Sequence, residues 1–172
     1  VTATNLHFRN GQGGCYPVYG CSMAGAFHND GITHLSFSSV IGSRGATNGG
    51  GIVNKHHLTL ENCVVEDNRA LQVGGGIYSS GYAHPSSLTV RDTRVYGNMT
   101  GGGGAGIHVE ESEVLLERVT VQHNAAFGTP SANAYGGGLS VKSGSEPVTV
   151  VVTDSVFTDN YSSASGGAIF AS

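Results

Sequence analysis

The residues of this chain that could carry acid–base or metal chemistry are its histidines and a run of glutamates. Eight histidines are present, but none has a metal-binding spacing such as His-x-x-x-His with a nearby carboxylate. Four glutamates fall within eight residues: Glu110, Glu111, Glu113 and Glu117. Such a group could bind calcium or form a solvated acidic turn. We favour the turn, and the sequence therefore predicts no metal site and no cofactor.

Other charged residues occupy fixed positions before a recurring asparagine or serine. Seven positions before it stand Glu61, Arg91 and Glu117, and six before it stand Asp92, Arg118 and Asp154. His123 and Asp159 each stand directly before it. A catalytic set on a surface is one interpretation. Pairing of opposite charges between neighbouring repeats is the interpretation we favour, so no catalytic residue is predicted.

The cysteines and two asparagines suggest covalent modification. Cys15 and Cys21 bracket a short loop, which predicts a local disulfide and an oxidising compartment. Cys63 is predicted to be a buried free thiol. Asn98 and Asn160 begin Asn-x-Ser/Thr sequences, so both are glycosylation acceptors if a eukaryote secretes the chain.

Composition excludes several classes of protein. The chain has 172 residues, a net charge of −4, 28 glycines and only 12% charged residues. The glycines lack a Gly-X-Y period, so the chain is not collagen. The charge offers no basic surface for nucleic acid, and no apolar run is long enough to span a membrane. Gly101–Gly104 is not followed by Gly-Lys-Ser/Thr, which argues against a phosphate-binding loop.

The glycines belong to a repeat. A glycine-rich cluster followed by one apolar residue occurs five times, ending at Ile52, Ile77, Ile107, Leu139 and Ile169. Each copy follows a polar residue that suits a turn: Ser43, Asn68, Asn98, Asn124 and Asn160. The spacing between the two is 9 residues in all copies except the one that begins at Asn124.

Two short segments with strand-like alternation precede each turn residue. One is exemplified by Leu58 and Leu60, and the other by Cys63 and Val65. Between them the alternation shifts by one residue, at Asn62 in this copy, so we predict a corner there. The glycine cluster and its apolar residue would form a third strand.

Three strands and three corners in 25–32 residues predict one coil of a parallel β-helix. We expect an all-β solenoid of about six coils with three short strands each, in one domain over residues 1–172. Residues 1–32 should form an irregular N-terminal coil that carries the Cys15–Cys21 loop, and residues 33–172 the regular coils.

The sequence Phe157-Thr158-Asp159-Asn160, followed by Gly166-Gly167-Ala168-Ile169, resembles known repeats. It is similar to the Phe-x-x-Asn and Gly-Gly-Ala-Ile repeats of chlamydial polymorphic outer-membrane proteins and to autotransporter passenger repeats. The resemblance covers residues 33–172, with Val replacing Phe in four copies. It implies a right-handed parallel β-helix outside the cell or on its surface, serving as an adhesin or a structural rod.

The functional expectation is therefore a non-enzymatic extracellular rod. An apolar final coil favours end-to-end self-association, which gives a filament when the contact does not close on itself. Exposed Tyr78, Tyr82, Tyr96 and Tyr135 suggest that glycans or host or cell-surface ligands bind. The alternative is a polysaccharide lyase or glycoside hydrolase on the same scaffold, because fold alone does not decide activity.

Overall fold

The computed structural model describes residues 1–16, 20–21, 24–45, 47–81, 85–128, 134–144 and 148–172. The described residues form short β-strands and contain no helix, so none of them lies in a helix that could cross a membrane. Twenty-two strands build four parallel sheets, and two form a small antiparallel pair. Each sheet takes one strand from successive turns of the chain, which is the architecture of a parallel β-helix.

The sheets are numbered in the order in which the chain visits them. Sheet 1 contains β1 (Thr2–Thr4), β6 (Ile32–Ser36), β9 (His57–Glu61), β13 (Ser86–Arg91), β17 (Ser112–Glu117) and β21 (Val150–Thr153). Sheet 2 contains β2 (His7–Arg9), β7 (Ser39–Ile41), β10 (Val64–Glu66), β14 (Arg94–Tyr96), β18 (Thr120–Gln122) and β22 (Val156–Thr158).

The other two sheets complete each coil. Sheet 3 contains β11 (Arg69–Ala70), β15 (Met99–Thr100), β19 (Ala125–Ala126) and β23 (Tyr161–Ser162). Sheet 4 contains β5 (Phe27–Asn29), β8 (Ile52–Asn54), β12 (Ile77–Ser80), β16 (Ile107–Glu110), β20 (Leu139–Lys142) and β24 (Ile169–Ala171). The antiparallel pair is β3 (Cys15–Tyr16) with β4 (Gly20–Cys21).

The core consists of columns of like residues, because inward side chains repeat at the same position of every coil. In sheet 4, Ile77 pairs in register with Ile52 on one side and Ile107 on the other, and all three are fully buried. In sheet 2 the inward column is Phe8, Val40, Val65, Val95, Val121 and Phe157. Burying each such side chain contributes about 2 kcal/mol to folding.

The predicted corner between the first two strands is present. Asn62, Asp92, Arg118 and Asp154 all have positive φ, between 47° and 53°. This left-handed conformation turns the chain between sheets 1 and 2, so the shift in alternation does not turn the hydrophobic side outward. Phe37 takes the same conformation in the coil before them, with φ 48°.

The all-β solenoid of six coils is confirmed, but a full coil has four strands rather than three. The additional strand is the two-residue strand of sheet 3, as in Arg69–Ala70, which directly follows the turn asparagine. Alternation over two residues is too short to recognise in a sequence. The glycines also lie before the sheet 4 strand rather than in it, since β12 begins at Ile77.

The predicted irregularity of residues 1–32 is wrong for most of that segment. Strands β1, β2 and β5 pair in register with β6, β7 and β8. Ala3, Phe8 and Phe27 pack against the core, as their counterparts in later coils do. The β3–β4 pair is the insertion that hides this coil in the sequence, because it lengthens the segment between the turn and the sheet 4 strand.

Candidate functional site

A buried column of polar side chains follows sheet 2 at the turn positions Ser43, Asn68, Asn98, Asn124 and Asn160. Asn98 Oδ1 accepts hydrogen bonds from the backbone N and Nδ2 of Asn68, both at 3.0 Å. Its Nδ2 donates to the Val65 carbonyl and to Asn124 Oδ1, also at 3.0 Å. Each inner asparagine therefore binds its own coil to the coils on both sides, and the column acts as a structural ladder.

This ladder corrects the glycosylation prediction at Asn98. Its side chain is fully buried and both amide atoms are hydrogen-bonded, so the folded chain has no room for a glycan there. Asn160 is only partly buried, but its Nδ2 donates to the Val121 carbonyl at 2.8 Å. Because a glycosylated amide nitrogen keeps one N–H, this bond does not exclude a glycan, and glycosylation of Asn160 stays a prediction.

The outward charges pair between neighbouring coils. Arg91 Nε lies 3.0 Å from Glu117 Oε2, and Arg118 Nε lies 2.7 Å from Asp92 Oδ1. Arg118 also contacts Glu117, and its guanidinium holds the pKa values of the Asp92 and Glu117 carboxyls below their usual range. These ion pairs give Arg91, Asp92, Glu117 and Arg118 a structural role.

Other charged residues of this surface have different partners. Glu61 pairs with His34 rather than with Arg91: Glu61 Oε2 lies 3.3 Å from His34 Nε2. His123 and Asp159 lie 3.9 Å apart on an exposed surface.

Replacing Arg118 with glutamine should lower the melting temperature slightly at low ionic strength and even less at high salt. Arg118 and Asp92 are exposed and Glu117 is partly exposed, so water and counter-ions screen the attraction between their charges. Thermal unfolding of both proteins at two salt concentrations measures the effect. A large loss of stability that salt does not reduce would contradict this interpretation.

A second polar cluster joins four coils at the end of sheet 4, and we call Lys55, Tyr78, His108, Glu110 and Lys142 the corner cluster. The Tyr78 hydroxyl donates to Glu110 Oε2 at 2.7 Å. His108 Nε2 and Lys142 Nζ each lie 3.4 Å from Glu110 Oε1. Lys55 Nζ lies 4.8 Å from the centre of the Tyr78 ring, which in turn stacks on His108.

The corner cluster keeps its central carboxylate ionised. The neighbouring His108 imidazole is the largest cause of a pKa of about 2 at Glu110; burial opposes it, and the Tyr78 hydroxyl and the Lys142 charge add to it. Burial also lowers the pKa of Lys55. Because the Glu110 carboxyl is a very weak base, it is suited to binding cations and hydrogen-bond donors rather than to donating a proton at neutral pH.

Glu110 should make stability depend on pH between about 4.5 and about 2. The carboxyl binds a proton near pH 4.5 in the unfolded chain and only near pH 2 in the folded chain. Its contribution is therefore complete above pH 4.5 and is lost as the pH falls through 2. Urea unfolding from pH 6 to pH 2 should show a smaller loss for Glu110→Gln than for the native chain.

The exposed Glu113 on β17 provides the matched control for that measurement. Glu113→Gln should follow the native pH dependence closely. If Glu110→Gln lost stability with acid as steeply as the Glu113→Gln protein, Glu110 would not be the source of the dependence.

The four neighbouring glutamates do not converge on one point. Glu110 lies on β16 within the corner cluster, Glu111 forms a turn with φ 51°, and Glu117 pairs with arginines at the other end of β17. Among the described residues, no three histidine, cysteine or acidic side chains could hold a metal ion together.

The tyrosines predicted to be exposed differ in their surroundings. Tyr78 is 3% exposed, so the expectation that it binds a glycan on the surface is wrong. It points outward from β12, but Lys55, His108 and the backbone near Gly74 cover it. Tyr96 and Tyr135 are partly exposed. Tyr82 lies outside the described residues.

The cysteines occupy two environments. Cys63 is a buried free thiol, as predicted. Its Sγ lies 3.2 Å from the Glu61 carbonyl, and burial raises its pKa. The backbones of Cys15 and Cys21 are directly opposite each other in the β3–β4 pair. Their side chains lie outside the described residues, so the disulfide remains a prediction.

The corner cluster is the arrangement that the sequence interpretation missed. A signal for it was nevertheless present in the sequence. Tyr78 and His108 each follow the apolar residue that ends a glycine cluster, and Glu110 stands three positions after Ile107. Aligning these outward positions would have placed Tyr78 beside His108 and Ser80 beside Glu110, as the strand register does.

Comparison with known proteins addresses the fold. A family model described as a right handed beta helix region matches residues 1–172. No curated protein and no solved structure matches the chain significantly.

Proposed function

The chain belongs to the right-handed β-helix family, and from this premise we propose that it is an extracellular, non-enzymatic rod with a structural or adhesive role. The observation that supports the proposal is the asparagine ladder. Its side-chain hydrogen bonds run without a break from Asn68 to Asn160 and join each coil to the next. Such a ladder favours a stiff, elongated shape over a hinged one.

The outward surface is consistent with this role. Arg91, Arg94 and Arg118 each pair with a carboxylate of a neighbouring coil. Each pair holds two neighbouring coils in register and occupies both of its charged side chains. They therefore add to the stiffness of the rod.

Location is the first test of the proposal. Antibodies raised against the purified chain should label intact source cells, or the chain should be recovered from the culture medium. Recovery only from lysed cells would contradict an extracellular role.

The proposal includes end-to-end self-association. Neighbouring coils of this chain are joined by parallel strand pairing, and the same pairing can join coils of two molecules. Electron microscopy of the purified chain should show filaments that grow with protein concentration. Particles that stay monomeric at high concentration would exclude this part of the proposal and leave the rod itself intact.

A polysaccharide lyase or glycoside hydrolase is the second candidate function. The observation that favours it is the corner cluster, where the Tyr78 hydroxyl and the His108 imidazole, both groups used in acid–base catalysis, contact the ionised Glu110 carboxylate. A panel of acidic and neutral polysaccharides tests it. Turnover that His108→Gln abolishes would replace the rod proposal with an enzyme. Turnover lost on changing Asp92 or Asp154 would do the same and would place the active site on the charge ladder.

A further inference from the structure

Three arginines have no ion pair with the described residues: Arg9, Arg44 and Arg69. Arg44 and Arg69 are exposed and lie opposite each other in an isolated parallel bridge that extends sheet 3. Parallel neighbours are about 4.8 Å apart, so two positive charges stand side by side. Like charges at such positions repel. This contrasts with Arg91, Arg94 and Arg118, which all have carboxylate partners.

Next to these two arginines, the face of the rod that sheet 3 forms is an apolar groove, which continues into the following coils. Leu71, Met99 and Phe127 are 62%, 38% and 48% exposed, although all three are apolar. Together with Arg69 they line a cavity of about 260 Å³. Beyond it, the Tyr161 ring is 52% exposed, and its centre lies 5.5 Å from that of Phe127. Cationic and apolar groups thus follow one another along the rod axis.

We propose that this strip, formed by Arg44, Arg69, Leu71, Met99, Phe127 and Tyr161, binds an acidic polysaccharide chain that lies along the rod. The inference deepens the adhesive role proposed above and rests on it. The planar guanidinium groups can each hold a carboxylate or sulfate through two hydrogen bonds. The apolar side chains pack on the C–H faces of the sugar rings, and the negatively polarised ring faces of Phe127 and Tyr161 attract those C–H groups.

The dimensions of the strip favour a linear chain over a folded protein. Sheet 3 strands have two residues each, so the face is only about 7 Å wide. A stable protein partner needs roughly 800 Å² on each side, which a strip of this width does not offer. The net charge of −4 also opposes general adsorption of polyanions, so binding depends on the local pair of arginines.

Binding to immobilised polygalacturonate, heparin and dextran tests the proposal at two salt concentrations. The chain should bind polygalacturonate, heparin or both, and neutral dextran much more weakly. The Arg44→Gln/Arg69→Gln double variant should bind about tenfold more weakly or worse, and Phe127→Ala should also weaken binding. The double variant Arg91→Gln/Arg94→Gln removes the same charge from paired arginines and should keep near-native affinity. Circular dichroism confirms that each variant is folded.

Three results would overturn the proposal. These are no binding to either polyanion, an equal loss in both double variants, or binding only to phosphatidylglycerol vesicles and not to the polysaccharides. Each of them would leave cell-surface labelling unaffected. Failure of the ligand proposal is therefore distinguishable from failure of the extracellular rod.

Discussion

Replacing Gly75 with alanine is expected to lower the free energy of unfolding by about 3 kcal/mol or more. Gly75 is the middle residue of a glycine cluster, and a Cβ atom at this position would lie 2.4 Å from the Met99 carbonyl oxygen and 2.6 Å from that of Ala105. Both atoms are backbone of the next coil, which is held by its own strand pairs. The added methyl group would therefore push two coils apart. Urea unfolding followed by circular dichroism measures the loss.

Gly31 provides the control for that experiment. A Cβ atom there would have no neighbour within 4 Å, so Gly31→Ala should change the free energy of unfolding by about 0.5 kcal/mol or less. If the two variants were equally stable, the close contact between coils at the glycine cluster would be wrong.

Replacing Asn98 with alanine is expected to cost about 3 kcal/mol of stability. The change removes the acceptor for the backbone N and Nδ2 of Asn68, and the donor to Val65 and Asn124. These groups are buried, and water cannot replace the lost bonds without entering the core. The same denaturation experiment measures the loss.

Position in the ladder supplies a graded control. Asn160 is the last ladder residue and is only partly buried, so Asn160→Ala should cost less than Asn98→Ala. Asn98→Asp retains an acceptor for Asn68 but places a carboxylate oxygen against two other acceptors, the Val65 carbonyl and Asn124 Oδ1, so it should cost at least as much stability as alanine. Equal losses at Asn98 and Asn160 would contradict a ladder that is strongest in its interior.

The sequence was sufficient to predict the fold because the repeat carries its own physical explanation. Val65, Val95 and Val121 recur at one position since each packs on its equivalent in the next coil. The corner at Asp92 was predictable because a one-residue shift in alternation requires the chain to bend, and its φ of 47° shows that bend. The turn asparagines were likewise recognisable, because four of the five turn residues stand 9 positions before the apolar residue that ends a glycine cluster.

Burial of outward residues was not predictable from alternation. Alternation correctly places Tyr78 on the outward side of β12. Its ring is nevertheless buried, because His108 of the next coil stacks on it. Asn98 similarly has a glycosylation sequence on a turn, but its side chain points into the ladder rather than into water. Both outcomes depend on residues about thirty positions away.

Functional residues were the least predictable part. The corner cluster draws its side chains from four coils, and the Arg44–Arg69 pair from two. Residues that each look ordinary become a site only when the register brings them together. A sequence repeat predicts that register well, whereas the chemistry depends on which outward positions happen to be charged, apolar or aromatic.

Spin labels on neighbouring coils provide the most direct test of in-register stacking, on which the rod, the ladder and the proposed strip all depend. Thr59, Thr89 and Val151 occupy one column of sheet 1 on the first, second and fourth of four consecutive strands. Cys15 and Cys21 are first changed to serine, and cysteines for labelling are then introduced in pairs. The backbone positions of the 59/89 pair should be about 5 Å apart, and those of the 59/151 pair about 14 Å apart. Electron paramagnetic resonance should therefore show strong spin–spin broadening for the 59/89 pair and little for the 59/151 pair. Absent broadening at 59/89, or stronger broadening at 59/151, would contradict the stacking of coils.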